Sequence, residues 1–191
     1  MKKLFISFII IGLGLVFYFG FNGKDKLANI TADSLSDQLP PDQKENVVEP
    51  DKIFAEPVEY GSLKESYSGQ DFSFKYPDGF KVSSNPVNSI QEIVTVENKK
   101  GSGFQIFLLA FDESGPITPE RIHKDLPDAE INDPKDADLD GEKTLVFNGY
   151  DQDMGETFEA WVIYKDKLYQ IAGPKTARKL ITETLETWRW K

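Results

Sequence analysis

The chain has 191 residues, 22 Lys and Arg against 32 Asp and Glu for a formal charge of −10, and no cysteine. A nucleic-acid partner is excluded, because binding to a phosphate backbone is driven by Lys/Arg neutralisation and counterion release that so acidic a chain does not supply. Without cysteine there is no disulfide, thiolate nucleophile, iron–sulfur cluster or Cys-based zinc site, nor the residue that a bacterial lipoprotein signal modifies.

Behind Lys2 and Lys3, residues 4–21 (LFISFIIIGLGLVFYFGF) form an uncharged run with thirteen Leu, Ile, Val or Phe residues. As a helix at ~1.5 Å per residue it reaches about 27 Å, close to the ~30 Å hydrocarbon core of a bilayer. The run is longer than a secretory h-region and leads into Asn22-Gly23-Lys24 without an A-x-A cleavage pattern, so a retained signal-anchor is expected rather than a cleaved signal. Lys24 and Lys26 compete with Lys2 and Lys3 under the positive-inside rule. An internal N-terminus with an extracytoplasmic C-terminal part is the expected orientation, as in exported single-pass proteins.

Residues 22–62 are polar, acidic and broken by Pro40, Pro41, Pro50 and Pro57, with apolar residues scattered rather than periodic. They read as a disordered linker of about 40 residues with an end-to-end distance on the order of 35 Å. Residues 63–191 are then one domain of ordinary size. Phe72–Tyr76 alternates like a half-buried strand, Pro77-Asp78-Gly79 supplies a turn, and Phe80–Ser83 returns. A second pair, Ile90–Glu97 and Gly103–Phe111, is joined by Asn98–Ser102; its second member is apolar at nearly every position, as expected of a central strand.

Thr118-Pro119-Glu120 reads as an N-cap, a proline at the first helical position and an acid in the first turn of a short helix ending near Leu126-Pro127. Strands follow at Lys143–Asn148, Thr157–Lys165 and Lys167–Gly173, the last two forming a hairpin at Asp166. Ala177, Leu180, Ile181 and Leu185 mark one face of a helix that covers the sheet, and Thr187–Trp190 alternates as a short closing strand. The class is α+β, a mostly antiparallel β-sheet packed with helices. On strand 158–165, Phe158, Ala160, Val162 and Tyr164 share one face while Trp161 and Ile163 share the other, so both faces are expected to be covered.

The opening Phe72-Ser-Phe-Lys-Tyr-Pro-Asp-Gly-Phe80, the late Glu159-Ala-Trp-Val-Ile-Tyr-Lys-Asp-Lys-Leu-Tyr-Gln-Ile-Ala-Gly173 and the end Trp188-Arg189-Trp190 resemble the PsbP/Mog1-like (DcrB-like) α/β/α sandwich over about residues 66–191. The resemblance implies a binding or scaffold protein without a shared active site, and it carries over no functional residue. The transmembrane start and the long acidic linker depart from the family's pattern.

Asp136-x-Asp138-x-Asp140-Gly141 matches the first six positions of a calcium loop, where alternating oxygens wrap a hard cation. Position twelve, which should be a bidentate Glu, is Phe147. The motif therefore reads first as a turn in a solvated acidic loop, and second as a weak calcium site with Asp133 or Glu142 as added donors. Neutralising the three aspartates is expected to leave the fold intact. His123, the only histidine, sits in a short polar helix, and Ser114 in Asp-Glu-Ser-Gly lacks the preceding glycine of a nucleophile elbow. The glycines at 101 and 103 are neither a P-loop nor a dinucleotide fingerprint.

The leading expectation is a membrane-anchored extracytoplasmic domain that binds a protein or envelope partner and catalyses nothing. Its alternatives are an envelope hydrolase using two carboxylates and a weak calcium-binding module.

Overall fold

The computed structural model describes residues 57–88 and 91–191. The expected membrane span at 4–21 and most of the expected linker lie outside the described residues. Among the described residues no helix is long and apolar enough to cross a membrane.

Among the described residues, ten strands and two α-helices run in chain order as β1 (Leu63–Ser68), β2 (Phe72–Pro77), β3 (Phe80–Asn88), β4 (Gln91–Asn98), β5 (Gly103–Ala110), α1 (Pro119–Asp125), β6 (Asn132–Leu139), β7 (Glu142–Asp151), β8 (Gly155–Tyr164), β9 (Lys167–Pro174), α2 (Arg178–Glu186) and β10 (Arg189–Trp190). They make two sheets rather than one: β1-β2-β10, and a seven-stranded sheet in the order β3-β4-β5-β9-β8-β7-β6. All the described pairings are antiparallel.

The turn at Pro77-Asp78-Gly79, which reads as a hairpin, is instead a corner. The glycine adopts φ 82° and the chain leaves the small sheet for the large one. Strand β2 pairs with β1 and, across more than a hundred residues, with β10 through Ser73 and Arg189. The two hairpins β6–β7 and β8–β9 close as expected of two-residue turns. Asp140 and Gly141, then Lys165 and Asp166, take up positive φ at their tips, the geometry whose twist matches that of the strands.

One face of the large sheet buries Val94, Ile106, Ala160, Val162 and Ile171 under Phe72 and Phe74 of β2 and under Leu180 and Ile181 of α2. The opposite face buries Leu145, Phe147, Trp161 and Leu168 under Ile117 and Ile122. Strand β8 is thus covered on both sides, as its two apolar faces require.

The cover over Trp161 depends on α1 and the loop before it. Thr118 Oγ1 accepts from Arg121 N at 3.3 Å, and the Arg121 guanidinium donates to the carbonyls of Gly115 and Pro116 at 2.9 and 3.0 Å. The loop is thereby folded back and Ile117 driven inward.

Both edges of the large sheet carry proline and charge. Strand β6 contains Pro134, Lys135, Asp136 and Asp138, and β3 contains Pro86 at a register shift. Proline and inward or outward charge on an edge discourage pairing with a second chain.

Candidate functional site

The aspartates of the calcium-like motif do not converge. Asp136 and Asp138 stand exposed on the outer strand β6, opposite Leu145 and Lys143 of β7, and Asp138 Oδ1 accepts from the Gly141 amide at 2.8 Å to shape the turn. Asp140 faces elsewhere: its Oδ2 accepts from the Trp190 amide at 2.7 Å, and its Oδ1 lies 3.6 Å from the Arg189 guanidinium. The first part of the motif, expected in an acidic loop, therefore belongs to an edge strand, Asn132–Leu139. The third aspartate of the motif fastens β10.

The three positions should separate on substitution. Asp140→Asn keeps the tolerated positive φ but loses a charge-assisted bond, so it should cost about 1 kcal/mol. Asp136→Asn with Asp138→Asn should stay within ~0.5 kcal/mol of wild type. Urea unfolding of both variants checks this, and equal costs would show that Asp140 holds nothing.

His123 is exposed on α1 and its Nε2 donates to the Ala129 carbonyl at 3.0 Å, so it closes the end of the helix. Ser114 is exposed in the preceding loop.

The carboxylate that stands out is Glu159 on β8. Its Oε1 accepts from Thr157 Oγ1 and its Oε2 from Trp161 Nε1, each at 2.8 Å. It occupies the space left by Gly149 on β7, where a Cβ would fall 2.6 Å from Oε1. Burial pushes the carboxyl above its ordinary range, the bonds from Thr157 and Trp161 pull it back, and Asp151 adds a small upward push.

A folded state that holds a proton the unfolded chain has released loses stability as pH rises. The contribution of Glu159 is complete below the unfolded value near ~4.3 and is lost through the raised folded one. Glu159→Gln retains the shape and can still accept from Trp161. The variant should therefore gain on wild type as pH rises from about 4 through the raised folded value, read by chemical denaturation of both at several pH values. Parallel pH profiles would show that Glu159 is ionised in the fold.

Because directly opposed residues of an antiparallel pair share a face, the registers place Ser83, Thr95, Gln105, Ala172 and Glu159 in one row across β3, β4, β5, β9 and β8. Gln105 is buried and its Nε2 donates to Thr95 Oγ1 at 3.3 Å. At the β8 end the row runs towards the face covered by α1. At the β3 end Lys81, Ser83 and Asn85 are exposed.

Over that uncovered end lies a hollow of about 760 Å³ bounded by Lys81, Ser83, Thr95, Gln105 and the hairpin-tip residues Lys99 and Lys100. A second hollow of about 880 Å³ lies on the other side of the same tip, with Pro57, Val58, Glu59 and Asp153 on its wall. The Val58 amide donates to the Thr176 carbonyl at 3.1 Å, so the last residues expected as linker run along the domain.

The larger part of this arrangement offers hydrogen bonds and positive charge. The first hollow has a single acid, Glu97, directly opposite Lys81. Its hydroxyls have no imidazole beside them. No two carboxylates face each other there, so neither arrangement needed for glycoside hydrolysis is present in this hollow. Composition gave no sign of the row, because a polar residue on a half-open face looks like any solvated one until the register is known.

No family model matches this sequence, and no curated protein is similar to it. Among solved structures, the chain is similar to the solution structure of cyanobacterial PsbP (CyanoP) from Synechocystis sp. PCC 6803, with 13% identity, 70% of this chain and 95% of that chain covered, and a TM-score of 0.47.

Proposed function

We propose that this protein is a non-catalytic binding module, held at the outer side of a membrane by residues 4–21, and that its partner lies on the open face of β3, β4 and β5. The observation that carries this reading is the asymmetry of the second sheet face. Ile117 and Ile122 cover it over β7, β8 and β9, whereas over β3–β5 it is a polar, lysine-rimmed hollow. A solvated sheet face with alternating donors and acceptors suits an extended or flat polar partner rather than an enclosed substrate.

The hydrolase alternative requires a second carboxylate converging on the perturbed one. Glu159 instead takes its hydrogen bonds from Thr157 and Trp161. The calcium alternative loses Asp140 to the Trp190 amide.

Topology is tested by adding protease to intact protoplasts: the domain should be digested from outside, and its protection would overturn the extracytoplasmic placement. The binding face is tested by a photo-crosslinking side chain at Ser83 or Thr95 in membranes, with Asp136 as control. Adducts specific to the two groove positions are expected. Adducts of the same kind from Asp136 would overturn the assignment of the face.

A further inference from the structure

We infer that the partner of the open β3–β5 face is an acidic glycan, a hydroxyl-rich sugar chain with widely spaced anionic groups, whose charges sit on Lys81, Lys99 and Lys100. This deepens the reading of that face as a binding surface and rests on it.

The first argument is the placing of charge. Residues 57–191 hold 24 acids against 16 bases, so an anionic chain is repelled by most of the domain. Lys99 and Lys100 at the β4–β5 tip line both hollows, and Lys81 lines the first. Among the described residues none of the three is in an ion pair, although Glu97 stands opposite Lys81. Lysines without a partner in an acidic surround focus an anion onto the tip. Lysine is a point charge without the planar fork of arginine, so it accepts carboxylate and phosphate alike.

The second argument is the floor, where Ser83, Thr95 and Gln105 stand in one row across β3, β4 and β5. Gln105 is only 6% exposed, and its Nε2 donates to Thr95 Oγ1 at 3.3 Å. That bond uses one amide N–H, and an amide also has a second N–H and a carbonyl to offer, while each hydroxyl both donates and accepts. Sugar hydroxyls have the same double capacity. The hollow of about 760 Å³ has the size of a ligand site, and the second, of about 880 Å³, receives the units that run on past the tip. Glu59 and Asp153 on its wall offset the same two lysines. Anionic groups therefore belong in the first hollow and uncharged units in the second.

The third argument separates this ligand from other anions. A protein partner is anchored by apolar and aromatic side chains in pockets. Among the described residues the large exposed apolar side chains are Val87 and Tyr150, which line neither hollow, and Val96 and Phe104 under the first are buried in the core. A flat anionic bilayer does not reach a row at the base of a hollow, and it brings the acidic remainder of the domain against like charge. Duplex DNA, with one charge about every 1.7 Å, is too dense for three lysines.

The test is calorimetric titration of the full chain in phosphatidylcholine nanodiscs with a hyaluronan oligosaccharide, a sugar chain with a carboxylate on every second unit. Lys81→Gln, Lys99→Gln and Lys100→Gln together should weaken its binding about tenfold, the combined effect of three exposed ion pairs. Lys124→Gln, Lys135→Gln and Lys143→Gln, an equal loss of charge on α1, β6 and β7, should leave it unchanged. Ser83→Trp fills the floor without altering charge and should weaken binding at least as much as the first set. High salt should weaken binding to the wild-type chain, so the role of charge is read even if the lysine variant folds poorly.

Absence of binding would overturn the inference, as would salt-insensitive binding. Equal weakening by the two lysine sets, or indifference to Ser83→Trp, would show adsorption to surface charge and overturn it too. Poly-L-glutamate held as tightly would assign the hollow to an acidic peptide, and loss of binding in discs half composed of phosphatidylglycerol would assign the lysines to lipid headgroups; either result overturns the glycan. Crosslinks specific to Ser83 and Thr95 without oligosaccharide binding overturn the glycan and keep the binding face. Adducts of the same kind from Asp136 overturn both.

Discussion

Trp188→Ala should remove about 3–5 kcal/mol of stability, a large share of the ~5–15 kcal/mol that holds a domain of this size. The side chain has no exposed surface. Its ring stacks on Phe72 at 4.4 Å with the planes 1° apart, lies 5.6 Å from Phe74, and meets Trp190 edge-on at 5.2 Å. Truncation would empty the space where α2, the small sheet and the end of the chain meet.

The loss would spread because this end is a tie between the two sheets. Trp190 Nε1 donates to the Leu139 carbonyl at 2.8 Å, the Lys191 amide donates to the Asp71 carbonyl at 3.0 Å, and Tyr164 stacks on Trp190 at 4.2 Å. Trp188→Phe distinguishes packing from polarity. The indole N–H has no partner among the described residues, so phenylalanine gives up volume but also removes a buried donor left unsatisfied there. The Phe variant should therefore cost clearly less than half as much as alanine. Guanidinium chloride titration of both variants checks this, and an alanine variant within ~1 kcal/mol of wild type would mean that the stack contributes little.

Residues that bury a side chain were legible in the sequence, and residues defined by their pairing were not. Alternation in Phe72–Tyr76, the continuous apolar run of β5 and the spacing of Leu180, Ile181 and Leu185 each say which surface is withdrawn from water, and these elements stand where expected. Strand β6 carries Asn-Asp-Pro-Lys-Asp-Ala-Asp before its single buried residue, Leu139. An edge strand wet on both faces shows no period of two, and its strand character comes from bonds to β7. The same reason hid β1, whose Leu63–Ser68 is mostly exposed.

Periodicity also cannot say which strand lies beside which. Phe80–Ser83 looked like the return of a hairpin because the turn residues fit one, yet β2 finds β10 and β3 finds β4. The candidate site shares that limit. Ser83, Thr95 and Gln105 become a row only through two registers, and no spacing along the chain announces it. The Asp136-Asp138-Asp140 pattern shows the converse: a regular spacing arising from an edge strand and a turn.

Gly103→Ala should be nearly as damaging as the loss of Trp188, at about 3 kcal/mol and a fall in melting temperature on the order of 10 °C. A Cβ at this position would lie 1.8 Å from the Val96 carbonyl oxygen and 2.9 Å from the Glu97 Cα. Those are backbone atoms of the adjoining strand, so no change of rotamer relieves the clash; β4 and β5 would have to separate where the hairpin begins. Overpacking that must move backbone sits at the upper end of the usual range.

Gly101→Ala is the control from the same hairpin. It has φ 77° with nothing within 4 Å, so its penalty is the left-handed conformation alone, about 1 kcal/mol. Gly173→Ala should fall between the two, since its Cβ would meet the Phe104 Cβ at 2.9 Å and the Gly103 carbonyl at 3.1 Å. Gly103 also lines both hollows, and its closeness to Val96 sets the position of Lys99 and Lys100 relative to the sheet. A variant as stable as wild type would mean that the two strands do not approach as closely as this, and the hairpin could not then hold the lysines over the polar row.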